Sequence, residues 1–456
     1  MLFRRITSEG LSHHSYFVAD GGEAFVVDPR RDLDVYFDAA REAGVQIKWV
    51  LETHRNEDFV AGAAGLAELS GATVLHGSGL KWGYGTTVDD GHEFGVGKLK
   101  VRALKTPGHT DESMSYAVAD TRAASDAVLV FSGDALFVGD VGRTDLYGPE
   151  ETERLARTLY RSIHDKLFTL GDGVILCASH GGGSVCGGKI LDRDLSSLGF
   201  ERLHNEALRG RDVEAFVARK KAEKMVRPPY FRRMEVWNQK GSAPLLQRVA
   251  PLSPLSLSEF DAKVKSGAVL VDARMPQAFA GGHISGALNV WLEGLSSYLP
   301  WAAAVDAKIV LVLPQCADLD LVARMLLRIG YDDVVGYLRG GFETWQNEGR
   351  AVARGGTIDT EALRGRLKDK GDLVIVDVRK PDEWEEGSIE GAQKIFVGDL
   401  EERIKEVPRD RELVAMCSVG HRGGLAASIM ERHGLRALNY LGGYTAWKKT
   451  AGKADA

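Results

Sequence analysis

Over about the first 200 residues, short apolar runs recur: SYFVAD, AFVVD, KWVLETH, ATVLHG, KLKVRAL, MSYAVAD, AVLVFSGD and GVILCASH. Gly and Asp turns separate them and a helical pattern follows many of them, which predicts sheets covered by helices. From about 205 to 250 the text becomes charged and turn-rich (ARKKAEKMVRPPYFRRMEVWNQKGSAPL), as expected of one closing helix and a linker. The remainder repeats itself. Residues 268–289 (AVLVDARMPQAFAGGHISGALN) and 373–394 (LVIVDVRKPDEWEEGSIEGAQK) share V-D-x-R, an aromatic five residues after the Arg, and a later I-x-G-A. Each copy also ends alike, in YLRGGFETW (337–345) and YLGGYTAW (440–447). A period near 100 residues marks a duplicated domain, because solenoid repeats run about 20–50 residues. In each copy a buried strand precedes a helix several times, which predicts a parallel sheet with helices on both faces.

At 456 residues the chain exceeds one ordinary core. Hydrophobic content of 44% and charged content of 27% are those of a globular protein. The net charge of −6 argues against a nucleic-acid or anionic-membrane surface, so anionic small molecules would need local basic pockets. No apolar h-region follows MLFRRITSEG and no stretch is long and apolar enough to span a bilayer, so a cytoplasmic protein with no membrane partner is expected. The cysteines Cys177, Cys186, Cys316 and Cys417 are too few for a disulfide framework, and each is expected to be a buried apolar residue or a reactive thiol.

Residues 53–62, THRNEDFVAG, begin like a loop of the form H-x-H-x-D-H, which would supply four donors to two cations. Here His54 and Asp58 are present, but Asn56 and Phe59 stand where the other two histidines would be. His54 follows the strand KWVLE, and three further candidates share that strand-end position: His109 in LKTPGHTDES, Asp134 in AVLVFSGDAL and His180 in ILCASHGGG. Strand ends followed by Gly-rich or polar loops are usual places for function in α/β folds. Four such residues together point to a metal site.

These motifs (T-H-x-x-x-D, T-P-G-H-T, S-G-D-A-L-F with G-x-x-G-R-T-D-L at 139–146, and S-H-G-G-G) resemble the metallo-β-lactamase fold, and within it the persulfide dioxygenase branch. The resemblance implies a four-layer αββα sandwich with metal ligands on loops at one sheet edge. It also implies iron held by His54, His109 and Asp134. The residues lead to the same set independently. Asn56 takes a nitrogen from one cation position and Phe59 takes one from the other, leaving His54, His109 and Asp134. Two imidazoles and one carboxylate with open positions opposite suit non-haem Fe(II) oxygen chemistry, where a soft sulfur ligand and O₂ can meet. Asp58 and His180 become candidates to orient ligands or line the substrate pocket, and Asn56 a hydrogen-bond donor to a bound sulfur or oxygen. Arg143 is a candidate anchor for a substrate carboxylate, its alternative being an ion pair with Asp145 or Asp140.

In the second copy the strand ELVAM runs into Cys417, a loop of small residues ending at Gly420, and a helix that brings His421 and Arg422. Converging loop amides, a helix N-terminus and nearby cations favour thiolate over thiol, so Cys417 is the candidate nucleophile with Arg422 beside it. C-x-x-G-x-R after a strand, with V-D-V-R before and Y-L-G-G-Y-x-x-W behind, resembles the rhodanese domain. The resemblance implies transfer of a sulfane sulfur onto Cys417 and on to an acceptor. In the first copy Leu313 stands at the Cys417 position, Cys316 lies three positions late, the Arg is absent, and Asp318 and Asp320 would repel an anion. That copy is expected to be silent. Cys177 and Cys186 flank His180, but with no second Cys/His pair nearby burial is the expectation for both.

The expected architecture is therefore α/β throughout: a metallo-β-lactamase-like domain over 1–250, a silent rhodanese-like domain over 252–355 and an active one over 356–456. The expected activity is oxidation of a low-molecular-weight persulfide such as glutathione persulfide to sulfite at one Fe(II) per chain, with sulfane-sulfur transfer at Cys417. The partners are a small persulfide or thiol, O₂, and thiosulfate or sulfite, and a homo-oligomer is expected. Two other readings are a dinuclear zinc thioester hydrolase of the glyoxalase II kind with rhodanese modules, and a non-enzymatic sulfur carrier.

Overall fold

The computed structural model describes residues 1–246, 248–368 and 372–451. Residues 369–371 and 452–456, within the expected third domain, lie outside the described residues. The chain forms two compact units: Met1–Met225, Tyr230–Val249 and Leu327–Gly330 make the first, and the second holds both sequence copies.

In the first unit one sheet contains, in spatial order, β1 (Leu2–Ser8), β2 (His13–Asp20), β3 (Glu23–Val27), β4 (Gln46–Leu51), β5 (Thr73–Gly77) and β6 (Thr86–Val88). Strands β1 to β3 pair antiparallel, and β3 to β6 parallel. The second sheet contains β7 (Glu93–Val96), β8 (Leu99–Lys105), β9 (Met114–Asp120), β10 (Leu129–Gly133), β11 (Ile175–Ala178) and β12 (Ser196–Ser197), adjacent in that order. The alternation of each strand sends one set of side chains inward. Val18, Phe25 and Leu51 from the first sheet meet Val101, Tyr116 and Phe131 from the second, and Cys177 is buried in this layer. On the outer faces, Phe17, Val26 and Val50 pack under the helices Asp34–Ala43 and Ala63–Ser70, and Val130 and Leu176 under the helix Thr152–Ser162 and its neighbours. Four layers in the order αββα result, as the fold resemblance implies. The charged segment after residue 205 holds two helices, Val213–Ala222 and Phe231–Lys240, rather than one closing helix. An aspartate accepting from a backbone amide starts the first of these, and a left-handed Gly241 ends the second. Pro228 and Pro229 between them make one continuous helix impossible.

In the second unit the two copies have the same plan. The first sheet has the order β13 (Pro254–Leu255), β17 (Val334–Leu338), β16 (Ile309–Val312), β14 (Val269–Asp272), β15 (Leu288–Asn289). The second has β18 (Gly356–Ile358), β22 (Ala437–Tyr440), β21 (Glu412–Met416), β19 (Leu373–Asp377), β20 (Gln393–Lys394), and every pairing in both is parallel. The repeated V-D-x-R acquires a physical meaning. Arg274 grips Asp272 at the end of β14, donates to the Gly282 carbonyl at 2.8 Å and lies 4.1 Å over the Phe342 ring. Arg379 does the same with Asp377, Gly387 at 2.7 Å and Tyr444 at 4.1 Å. The motif therefore ties a central strand to the helix after it and to the closing G-F/Y-x-x-W helix. No helix among the described residues is long and apolar enough to cross a membrane.

Candidate functional site

Four strand ends of the first unit converge. β4 delivers His54, β8 leads through Thr-Pro-Gly to His109, β10 delivers Asp134, and β11 leads to His180. The close approach between sheets depends on Gly133, whose φ is 56° and where a Cβ would lie 2.7 Å from Thr53. Tyr116 Oη donates to the Glu52 carbonyl at 3.1 Å and the Met114 amide to the Thr53 carbonyl at 2.6 Å, fixing the β4 end against the second sheet.

His54, His109 and Asp134 are buried, and one donor atom of each lies within 4.8 Å of the others. The hydrogen bonds fix which nitrogen faces inward. The Thr53 hydroxyl donates to Asp28 at 2.7 Å, so its oxygen accepts from His54 Nδ1–H at 2.9 Å. His109 Nδ1–H donates to the Arg143 carbonyl at 2.9 Å. Both histidines thus present the bare Nε2 to the same point, His54 Nε2 lying 3.8 Å and His109 Nε2 3.6 Å from Asp134 Oδ2. These three atoms are buried and without hydrogen-bond partners. Orphaned lone pairs on two imidazoles and a carboxylate are what a cation satisfies, so the donor set fits a metal ion. Asp28, which anchors the relay, has φ 45°, an unusual conformation for a non-glycine residue.

His180 is held between two carboxylates, donating Nδ1–H to Asp134 Oδ1 at 2.8 Å and Nε2–H to Asp58 Oδ2 at 2.9 Å. Burial alone would lower its pKa, but Asp134 and Asp58 push it well above the ordinary value. Burial would raise Asp134, whereas the surrounding histidines hold it below the usual carboxylate range. The Asn56 side-chain amide donates to the His54 carbonyl at 3.3 Å, while its Oδ1 is buried without a hydrogen-bond partner. Phe59 stacks on His13, centroids 4.0 Å apart, walling the side where the loop's last His would be. Arg143 takes the alternative role: buried, its guanidinium grips Asp145 through two bonds of 2.7 and 2.8 Å, which directs those nitrogens away from a substrate carboxylate. Its carbonyl is what orients His109.

Two further residues belong here: Cys186, weighed from the sequence and expected to be buried, and Glu57, which sequence reasoning missed. Cys186 is buried as expected, but with Asp58 and His180 it forms a second group whose donor atoms lie within 4.8 Å of one another. Glu57 is wholly buried, with Oε1 3.2 Å from His109 Nε2 and 3.8 Å from Cys186 Sγ. Burial would raise its pKa, but His109 and His54 bring it down to about 2. A second acid beside Asp58 in a loop already short of ligands was the available signal.

In the second unit β21 ends at Met416, and Cys417 is buried at the head of the loop Cys417–Gly420. The Gly420 amide donates to Cys417 Sγ at 3.1 Å, and the helix His421–Arg432 starts immediately. Gly443, at φ 54°, lets the closing turn pack on this loop: a Cβ there would lie 2.2 Å from the Cys417 carbonyl oxygen, which accepts the Tyr444 amide at 2.8 Å. Arg422 donates to Ser418 Oγ at 2.7 Å and to both oxygens of Glu383. Burial would lower Arg422 and raise Glu383, yet the pairing raises the first and brings the second down to about 2. The His421 ring lies 4.9 Å from Trp291 of the first copy. In that copy six residues separate the end of β16 at Val312 from the start of the helix at Leu319, and Cys316 is exposed.

Residues 9–180 match the Metallo-beta-lactamase superfamily, and residues 256–348 and 359–450 each match the Rhodanese-like domain. The probable metallo-hydrolase YqgX of Bacillus subtilis (strain 168) is 30% identical over 202 residues, covering 40% of this chain and 90% of that protein. The persulfide dioxygenase ETHE1, mitochondrial, of Bos taurus is 26% identical over 192 residues, covering 40% of this chain and 68% of that protein. The solved metallo-beta-lactamase of Staphylococcus aureus subsp. aureus COL aligns with TM-score 0.65 at 30% identity, over 74% of this chain and 99% of that one.

Proposed function

Because the chain belongs to the metallo-β-lactamase superfamily in its first unit and carries two rhodanese-like domains after it, we propose that it oxidises a low-molecular-weight persulfide to sulfite at one Fe(II) and moves sulfane sulfur on Cys417. The observation that carries the reading is the convergence of three orphaned buried atoms, His54 Nε2, His109 Nε2 and Asp134 Oδ2. The named persulfide dioxygenase relative supports the same reading.

A bound ferrous ion would supply the one-electron chemistry that lets dioxygen oxidise sulfane sulfur. The chain does the rest. Thr53 and the Arg143 carbonyl hold the two imidazoles in the ligating tautomer. His180 takes one oxygen of Asp134, leaving the other for the cation. Phe59 and His13 keep water from being positioned on the far side. In the balanced reaction, glutathione persulfide, dioxygen and water give glutathione, sulfite and two protons. At the other site the Gly420 amide and Arg422 stabilise charge on and beside the Cys417 sulfur, as transfer of a sulfane sulfur from an anionic donor requires. Leu313 and the longer loop leave the first copy without that constellation.

Anaerobically purified protein should contain one iron per chain, consume oxygen with glutathione persulfide and release sulfite. Two zinc per chain without oxygen uptake would establish the dinuclear hydrolase instead, a reading favoured by the Asp58, His180 and Cys186 group. Against it stands His180, whose two ring nitrogens are both engaged by carboxylates.

A further inference from the structure

The Gly420 amide that donates to Cys417 Sγ at 3.1 Å belongs to a residue in the left-handed region, with φ 101°. Glycine is the residue with the most backbone freedom to lose, so an aimed glycine amide needs a restraint from outside its own loop. We infer that Asn439, on β22, is the positioning residue of the sulfur cradle: its carboxamide fixes Gly420 so that the amide stays directed at the Cys417 sulfur. This rests on the reading of Cys417 as the nucleophile.

Three observations carry it. Asn439 Nδ2 donates to the Gly420 carbonyl at 2.9 Å from 19 positions away in the chain. The same carbonyl accepts the Gly424 amide at 3.1 Å, in the first turn of the helix His421–Arg432. Gly420 is thus held through its carbonyl by the sheet and by the helix together, while its amide meets the sulfur. Next, Asn439 is 2% exposed and its Oδ1 is buried without a hydrogen-bond partner. An unserved buried carbonyl oxygen costs about 1–3 kcal/mol. Packing alone would be better served by an apolar side chain of that shape, so what the carboxamide adds is the bond to Gly420. Gly423 makes room for it: a Cβ there would lie 2.3 Å from Asn439 Oδ1.

The silent copy supplies the third observation. When YLRGG is set against YLGGY, Gly336 stands at the position of Asn439, and the helix alignment puts Leu319 at that of Gly423. A Cβ at Gly336 would lie 2.5 Å from the Ser253 carbonyl oxygen, so that strand has no room for an asparagine. Both halves of the Asn439–Gly423 fit are therefore missing where the cysteine is missing, whereas the Asp272–Arg274 clasp, which serves the body of the domain, is present. Asn439 goes with the chemistry and not with the scaffold. It acts through Gly420, because a donor that is already in place stabilises charge on sulfur without reorganising.

The test uses the full-length protein as wild type, Asn439→Ala, Gly423→Ala, the two combined, and Cys417→Ala. Two rates are read: sulfur transfer from thiosulfate to cyanide, and alkylation by iodoacetamide at pH 7 followed on the Cys417 peptide by mass spectrometry. Asn439→Ala should lower kcat and the alkylation rate alike, about 3–10-fold, with the circular dichroism of the wild type. Gly423→Ala should do the same by displacing the carboxamide, and the combined variant should be no slower than Asn439→Ala. Additive losses would overturn the inference. Wild-type alkylation in folded Asn439→Ala, even with lowered stability, would mark a purely structural role and overturn it, and if Cys417→Ala is inactive the nucleophile stands. Full sulfur transfer by Cys417→Ala would overturn both. If Asn439→Ala does not fold, Gly423→Ala carries the test: slowed alkylation supports the inference, and a wild-type rate overturns it.

Discussion

Glu383 clamps Arg422 in the loop that Cys417 begins, its carboxylate meeting both terminal guanidinium nitrogens while Ser418 bridges the pair. The arginine is therefore set in place before substrate arrives. Glu383→Gln should lower kcat/KM for thiosulfate about ten-fold, since a charged hydrogen bond that fixes orientation is lost. Steady-state assays with cyanide as acceptor would show it.

The same pair gives a signed pH dependence. Glu383 titrates at about 2 in the folded chain, below its ordinary 4.5. Its contribution to stability is thus complete above the ordinary carboxylate value and is lost as pH falls toward the folded one. Urea unfolding of wild type and Glu383→Gln should show a steady difference from pH 7 to about 5, shrinking as pH falls toward about 3. A difference that grew on acidification would contradict the pairing.

The two centres should be separable. Cys417→Ala is expected to abolish sulfurtransferase activity and leave iron content and oxygen uptake with a supplied persulfide intact. Loss of both together would refute a division of labour.

Thr53→Val removes the hydroxyl that joins His54 to Asp28. Metal affinity should fall about 10–100-fold, with the fold retained, as expected when the group orienting a ligand imidazole is lost. Equilibrium dialysis against Co(II) would measure it.

Gly443→Ala should be the most damaging small substitution at the second site. A Cβ would collide with the Cys417 carbonyl from a left-handed backbone, so destabilisation of about 1–3 kcal/mol and collapse of sulfur transfer are expected. Chemical denaturation and the cyanide assay report the two effects.

The strands that carry the sites were legible because each is a short apolar run ending in His, Asp or Cys, and period and punctuation survive in one dimension. His54, His109, Asp134 and Cys417 were found that way. Glu57, Cys186 and Glu383 were not, because their roles depend on loop paths. Glu57 reaches His109, 52 positions away in the chain, and Glu383 sits on a different strand connection from the arginine it holds. Arg143 shows the reverse failure: its position in the chain was suggestive, but Asp145 two residues on claimed its guanidinium. The extra helix after residue 205 was missed because its apolar residues do not fall on one face: Val213–Ala222 buries Lys220 beside Phe216 and Val217 and runs straight into a basic stretch.

The Asp272–Arg274 and Asp377–Arg379 clasps make the same bonds in both copies, although only one copy has the cysteine loop. Scaffold and chemistry are thus independently heritable in this architecture: selection could erode one loop without unravelling the body that bore it. A transplant of Cys417–Arg422 into the position after β16 would accordingly inherit the clasp but not the carboxylate that holds the arginine, since Ala278 stands in the first copy where Glu383 stands in the second, so a second working loop needs both changes.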